Sequence, residues 1–161
     1  MNVSFIDTSI IMNLLEIPQR CQNAEEIKKE FKEAVDADEV LILPMPTIIE
    51  NGNHISHIAD GNIRRKKAVE FQTFLRKTAL QEAPWKLYGV EFTSDDLLAL
   101  AEKFPDYAQK MEMGIGDMSI IRFYEKYKND IPAIGKIRIW STDKHLKNYK
   151  EDLTVSRRRY R

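Results

Sequence analysis

Four carboxylates stand at separate, mostly apolar places in the sequence: Asp7, Glu50, Asp117 and Asp143. Asp7 ends the run Val3-Ser4-Phe5-Ile6-Asp7, and Glu50 closes Pro46-Thr47-Ile48-Ile49-Glu50. Asp117 lies within Gly114-Ile115-Gly116-Asp117-Met118-Ser119-Ile120-Ile121, and Asp143 follows Ile137-Arg138-Ile139-Trp140-Ser141-Thr142. A carboxylate beside core residues loses hydration and must be paired, protonated or bound to a metal. Four of them in 161 residues point to an oxygen-ligand site for a hard divalent cation. Each acid also has a plainer role open to it. Asp7 can cap a helix starting near Ser9, and Asp143 one near Lys144. Glu50 suits the positive end of a helix dipole. Asp117 is harder to explain this way, because it precedes Ile120 and Ile121 by one turn and shares their inward face.

The elements that must position these acids read as alternating strands and helices. Val3 to Ile6, Val40 to Leu43 and Ile137 to Trp140 are short apolar runs, which suit parallel strands covered on both faces. Thr8 or Ser9 starts a helix with Ile10, Ile11, Leu14 and Leu15 on its apolar face, ended by Pro18. Asn23 and Glu26 resemble a capping box for a helix facing inward through Ile27, Phe31, Ala34 and Val35. A helix begins near Thr47 and breaks at Gly61-Asn62, and a basic helix follows over 63–79. Residues 84–92 connect, with room for a short extended piece. Thr93 and Asp96 look like another cap, for a helix packing through Leu97, Leu100, Ala101, Phe104, Ala108 and Met111. Pro105 is expected to kink or split it. A further helix carries Asp117, Ile120, Ile121, Tyr124 and Tyr127, and a short helix lies near Lys144. The tail 156–161 is basic. This alternation predicts a single domain over 1–161, a three-layer α/β/α sandwich with a short, mainly parallel central sheet. Ligands of such sheets bind beyond the carboxyl ends of the strands, where Asp7 and Asp143 fall.

Phe5-Ile6-Asp7-Thr8-Ser9, Pro46-Thr47-Ile48-Ile49-Glu50, Gly116-Asp117-Met118-Ser119-Ile120 and Trp140-Ser141-Thr142-Asp143-Lys144-His145-Leu146 together resemble the ordered motifs of PIN-domain ribonucleases. The resemblance spans nearly the whole chain. It implies a PIN-like fold with acids gathered around Mg²⁺ or Mn²⁺ at one end of the sheet. Carried over, Asp7, Glu50, Asp117 and Asp143 become the catalytic acids. Asp7, Asp117 and Asp143 would hold the metal, while Glu50 would orient the attacking water or help hold the metal. Ser141 matches a hydroxyl residue two positions before the last acid. Many small PIN proteins resemble the VapC toxins of toxin–antitoxin pairs. The chain is longer than a typical one, chiefly over residues 80–112.

The remaining residues fill supporting parts. Glu50, His54 and His57 share a helical face, and His54 could contact a substrate phosphate. Arg64, Arg65, Lys66 and Lys67 form one basic cluster and Arg157 to Arg161 another. Either could neutralise RNA phosphates, and the tail could instead touch an antitoxin or a second subunit. Formal charge is zero, with 25 basic and 25 acidic residues, so nucleic-acid binding must come from local patches. The single cysteine, Cys21, excludes an internal disulfide or a cysteine-rich zinc site. No secretory signal or membrane-spanning run is visible, so the sequence reads as cytoplasmic. The leading expectation is a Mg²⁺- or Mn²⁺-dependent endoribonuclease, the toxin of a toxin–antitoxin pair. Its partners would be RNA, an antitoxin and a second copy of itself, with no membrane. Candidate faces for self-association are residues 10–35 and 93–111. One alternative is a catalytically inactive PIN-like RNA-binding or scaffold protein. Another is a haloacid-dehalogenase-like phosphohydrolase, which expects a second aspartate two residues after the first, where this chain has Ser9.

Overall fold

The structure is a computed structural model and describes residues 1–154; the expected basic tail lies outside the described residues. Five strands form one mixed sheet in the order β3-β2-β1-β4-β5. They are β1 (Asn2–Ile6), β2 (Val40–Pro44), β3 (Trp85–Tyr88), β4 (Lys136–Trp140) and β5 (Lys150–Asp152). The first four run parallel, and β5 returns antiparallel against β4. All three strands expected from the apolar runs therefore share one sheet. Six helices complete the described chain: α1 (Thr8–Leu14), α2 (Ala24–Asp36), α3 (Met45–Ser56), α4 (Gly61–Ala79), α5 (Ser94–Met111) and α6 (Ile115–Asp130).

Strand alternation divides the core in two. Val3, Phe5, Ile42, Ile137 and Ile139 pack with Leu100 of α5 and with Met118, Ile120, Phe123 and Tyr124 of α6. Ile6, Leu41, Leu43 and Trp140 pack instead with Ile10 and Ile11, Ile27, Ile55, Phe71 and Phe74 from the first four helices. Helices thus lie on both faces of the sheet, an arrangement compatible with three layers. Each fully buried Ile or Phe stabilises it by about 1.5–3 kcal/mol.

The order of strands fixes where a ligand site belongs. From β1 the chain moves outward to β2 and β3, then returns to the other side of β1 as β4. The switch lies between β1 and β4, where neighbouring crossovers part and open a crevice at the carboxyl ends. Asp7 sits there directly: its N–H donates to Trp140 O at 3.1 Å, extending the β1–β4 ladder by one step.

Several local expectations need correction. Asn23 makes no side-chain cap; its own N–H donates to Asn13 Oδ1, which ties the start of α2 to α1 instead. The break before α4 falls at residues 57–60, with Asp60 capping through Asn62 and Ile63 N–H, and Gly61 already helical. Helix α5 runs unbroken through Pro105. The Thr93–Asp96 capping box is present, but the inward face is not as expected. Asp96 is buried and Leu97 is 61% exposed. Val35, expected inward on α2, is also exposed. The helix near Lys144 is a single 3₁₀ turn, Leu146–Asn148. No helix among the described residues is long and apolar enough to cross a membrane.

Candidate functional site

All four sequence-flagged acids line one cleft of about 420 Å³ at the carboxyl end of the sheet. Asp7 reaches it from the end of β1 and Asp143 from the loop after β4. Glu50 comes from α3 and Asp117 from the first turn of α6. His54, one turn beyond Glu50, lines the same cleft.

Asp7 is the most constrained member, at 3% exposure. Its Oδ2 accepts from Ser141 Oγ at 2.7 Å, Ser9 Oγ at 2.8 Å and Ser9 N–H at 3.3 Å. Its Oδ1 is buried and takes no hydrogen bond from any described residue. A buried carboxylate oxygen without a donor carries a large desolvation cost unless water or a cation meets it. Asp7 therefore both caps α1 and leaves one oxygen open.

Glu50 is fixed by Thr8, whose Oγ1 donates to Oε2 at 2.8 Å. Burial raises its pKa above the ordinary 4.5; the Thr8 bond opposes that rise and the charge of Asp7 adds to it. Its other oxygen lies against the start of α6. A Cβ on Gly116 would collide with Glu50 Oε1, so only glycine at 116 admits the carboxylate there. That close approach, rather than a strained backbone, explains the glycine.

Asp117 records the crowding of charge. Burial, and then the charges of Asp7, Glu50 and Asp143, push its pKa up to about 7. Like charges raise a carboxylate in this way only when they share one site. Asp143 is more exposed, and its Oδ1 caps the following turn by accepting from His145 and Leu146 N–H at 2.8 and 3.1 Å. Burial lowers the His54 pKa below 6.5, and Arg20 and His57 add to the effect.

The other flagged residues divide. Ser141 lies beneath the acids: its hydroxyl donates to Asp7 Oδ2 and accepts from Asp143 N–H at 2.9 Å. It positions two acids at once. His57 turns away, with Nδ1 against Asn53 O at 2.6 Å. Arg64 and Arg65 are exposed near the start of α4 and do not line the cleft; Arg64 Nη1 donates to Ile58 O. The cation that does line it is Arg20, which sequence reasoning missed. Arg20 sits after non-glycine residues with positive φ, Glu16 at 50° and Gln19 at 65°, and nothing in its neighbours marks that turn. Ser9 was considered only as a cap. Its hydroxyl in fact joins Asp7, Ser141 and the N–H of Thr142.

No three His, Cys, Asp or Glu side chains among the described residues stand close enough to form a ready-made cation cage. The donor chemistry still fits Mg²⁺ or Mn²⁺. Every acid offers oxygen, Asp7 Oδ1 lacks a donor, and Mg²⁺ takes one or two carboxylates while keeping several waters. Compared with known proteins, the chain matches no family model and no curated sequence.

Proposed function

We propose that this chain is a Mg²⁺- or Mn²⁺-dependent ribonuclease, an endonuclease of PIN-like fold that serves as the toxin of a toxin–antitoxin pair. The observation that carries the reading is the meeting of four carboxylates in one strand-end cleft, with Asp7 Oδ1 buried and undonated. Gathered acids repel one another, and a divalent cation is the natural compensation. The toxin assignment, the antitoxin and the homodimer rest on the resemblance of the motifs to PIN-domain toxins, and the cytoplasmic location on the sequence's lack of a visible secretory signal or membrane-spanning run.

In this reading Asp7, Asp117 and Asp143 would hold the cation, one or two of them directly and the rest through its bound waters. A bound Mg²⁺ or Mn²⁺ supplies a water of lowered pKa and neutralises charge on the phosphate. Ser9 and Ser141 fix Asp7 through Oδ2, which would leave Oδ1 as its ligand atom. Glu50, held by Thr8, orients the attacking water and accepts its proton, a role suited to a carboxylate of raised pKa. Arg20 and His54 line the same cleft and would be the groups there to meet the phosphate.

The test compares wild type with Asp117→Asn on a panel of structured RNAs, with EDTA controls. Metal-dependent cleavage by wild type alone, with both proteins folded, is the expected result. Equal residual cleavage in both would indicate a contaminating nuclease. RNA binding without cleavage would favour the inactive binding or scaffold protein.

A further inference from the structure

The acid cleft does not end at Thr142. It shares Asn23 and Thr142 with a groove of about 450 Å³ that runs between α2 and the β4–β5 end of the sheet. A second hollow of about 370 Å³ continues from it, sharing Arg138 and Lys150.

The two walls differ in charge. On the sheet side stand Arg138, Lys147 and Lys150. Arg138 is held rigidly: Nε donates to Ser4 Oγ at 2.6 Å, and its guanidinium lies 5.1 Å over the Trp140 ring. Glu39 Oε1 is a further 3.5 Å partner. Lys150 is the ladder partner of Arg138. On the α2 side stand Glu26 and Glu30. Lys147, Lys150, Glu26 and Glu30 form no ion pair among the described residues.

We infer that this groove seats a single polynucleotide strand flanking the scissile phosphate, its backbone on Arg138, Lys147 and Lys150 and its bases toward Glu26 and Glu30. The inference rests on the nuclease reading of the cleft. One cationic wall can neutralise one backbone. The carboxylate wall repels a second backbone, which excludes a duplex, yet accepts hydrogen bonds from base amino groups such as that of cytosine. The groove is continuous with the acids, so a strand lying in it delivers a phosphate to them.

The experiment measures binding of a fluorescent single-stranded RNA, and of its duplex, by the full chain in EDTA across a salt series. The proteins are wild type and Lys147→Gln/Lys150→Gln, with thermal melts to show that both fold. Hydrolysis of bis(4-nitrophenyl) phosphate with Mn²⁺ reads the acid cleft separately. Wild type should bind the single strand at least about tenfold more tightly than the duplex, and the double variant should lose about tenfold in single-strand affinity. Its log–log salt slope should fall by about 1.4, from about 0.7 for each lost contact. Unchanged affinity and slope in the double variant, equal binding of duplex, or no binding by wild type each overturns the groove. Wild type that binds as expected but does not hydrolyse the diester would keep the groove and lose the nuclease reading. Hydrolysis with unchanged binding by the double variant would do the reverse.

Discussion

Asp117→Asn should make the metal-free protein more stable at neutral pH, although it removes a proposed ligand. The unfolded chain releases the Asp117 proton near the ordinary 3.8, whereas burial and the charges of Asp7, Glu50 and Asp143 delay that release to about 7 in the folded chain. Between those values the folded state binds more protons than the unfolded, so stability falls as pH rises. The penalty is absent below about pH 4, grows through about pH 7 and stays constant above. At full weight the gap corresponds to about 4 kcal/mol. Asp117 is only half-buried, and water screens it, which reduces the figure to roughly 2 kcal/mol. Asparagine keeps the shape and carries no charge, so it removes the penalty. Urea denaturation in EDTA should show the two proteins alike near pH 4 and the variant ahead by roughly 2 kcal/mol near pH 8. In thermal melts that is roughly 4–8 °C. Adding Mn²⁺ should reverse the order. A cation at a hundredfold excess over its Kd stabilises the wild type by about 2.7 kcal/mol, and the variant gains less. If Asp117→Asn is equal to or below wild type near pH 8 in EDTA, Asp117 does not share the field of the other acids and the gathered-charge argument fails.

Gly116→Ala should abolish metal-dependent turnover, because the new Cβ meets the Glu50 carboxylate, whereas Gly114→Ala, with nothing within 4 Å, should remain active. Fold stability of Gly116→Ala should change little in urea melts, because the group displaced is the end of the flexible Glu50 side chain. Asp96→Ala should destabilise by about 2–3 kcal/mol in the same assay, less than a fully buried pair because Arg122 and Lys126 are each one-third exposed. Burial alone would raise the Asp96 carboxyl, but Thr93, Lys126 and Arg122 together hold it well below the usual range. Its contribution is therefore complete above about pH 4 and is lost as pH falls further, so wild type and Asp96→Ala should converge in acid. Light scattering should give a dimer for wild type and a monomer for Leu97→Ser/Leu98→Ser, whose side chains are 61% and 64% exposed on α5. A monomeric wild type would remove the self-association proposal.

The sheet centre was legible because its strands are mostly buried and read as short, mainly apolar runs, broken only by Ser4 and Arg138. The edges were not. In β3 only Trp85 and Tyr88 are partly buried while Lys86 and Leu87 face outward, so its run carries no clear signal. The strand β5 is Lys150-Glu151-Asp152, exposed throughout, and exists because β4 supplies its ladder. Helix α5 misled for a different reason. Asp96 takes an inward position that apolar spacing assigns to leucine, and it does so because Arg122 and Lys126 of α6 neutralise it. The second self-association face gained from this, since Leu97 and Leu98 turn outward. The first face, residues 10–35, turns Ile10, Ile11, Ile17, Ile27 and Ala34 into the core and keeps Val35 exposed. The four acids were legible because strand ends and a glycine-flanked helix start limit where a carboxylate can point. Arg20 and the Ser9 network depend on loop geometry between distant segments, which no local pattern encodes.

The plainer roles and the chemical roles of the acids turn out to be compatible, because a carboxylate has two oxygens. Asp7 anchors α1 and the β4 loop through Oδ2 and leaves Oδ1 undonated. Asp143 caps its turn through Oδ1, and no hydrogen bond among the described residues engages Oδ2. Glu50 is anchored by Thr8 through Oε2, and Oε1 lies at the Gly116 gap. In each case the fold uses one oxygen to fix the group and places no hydrogen-bond donor among the described residues on the other. Anchoring of this kind removes side-chain freedom before a ligand arrives, which lowers the entropy cost of assembling the site. Among the described residues, no hydrogen bond anchors the Asp117 carboxylate in this way. It carries the repulsion of the other three instead, as a carboxyl that stays partly protonated at neutral pH. An asparagine scan therefore separates the two kinds of acid. At positions 7 and 143 the amide oxygen can still accept the anchoring bonds while the amide nitrogen takes the other position, so loss of function there reflects the missing charge and ligand oxygen rather than a lost anchor. At position 117 no such anchor is present among the described residues, and the gain in metal-free stability isolates the electrostatic cost of holding the site ready for a cation.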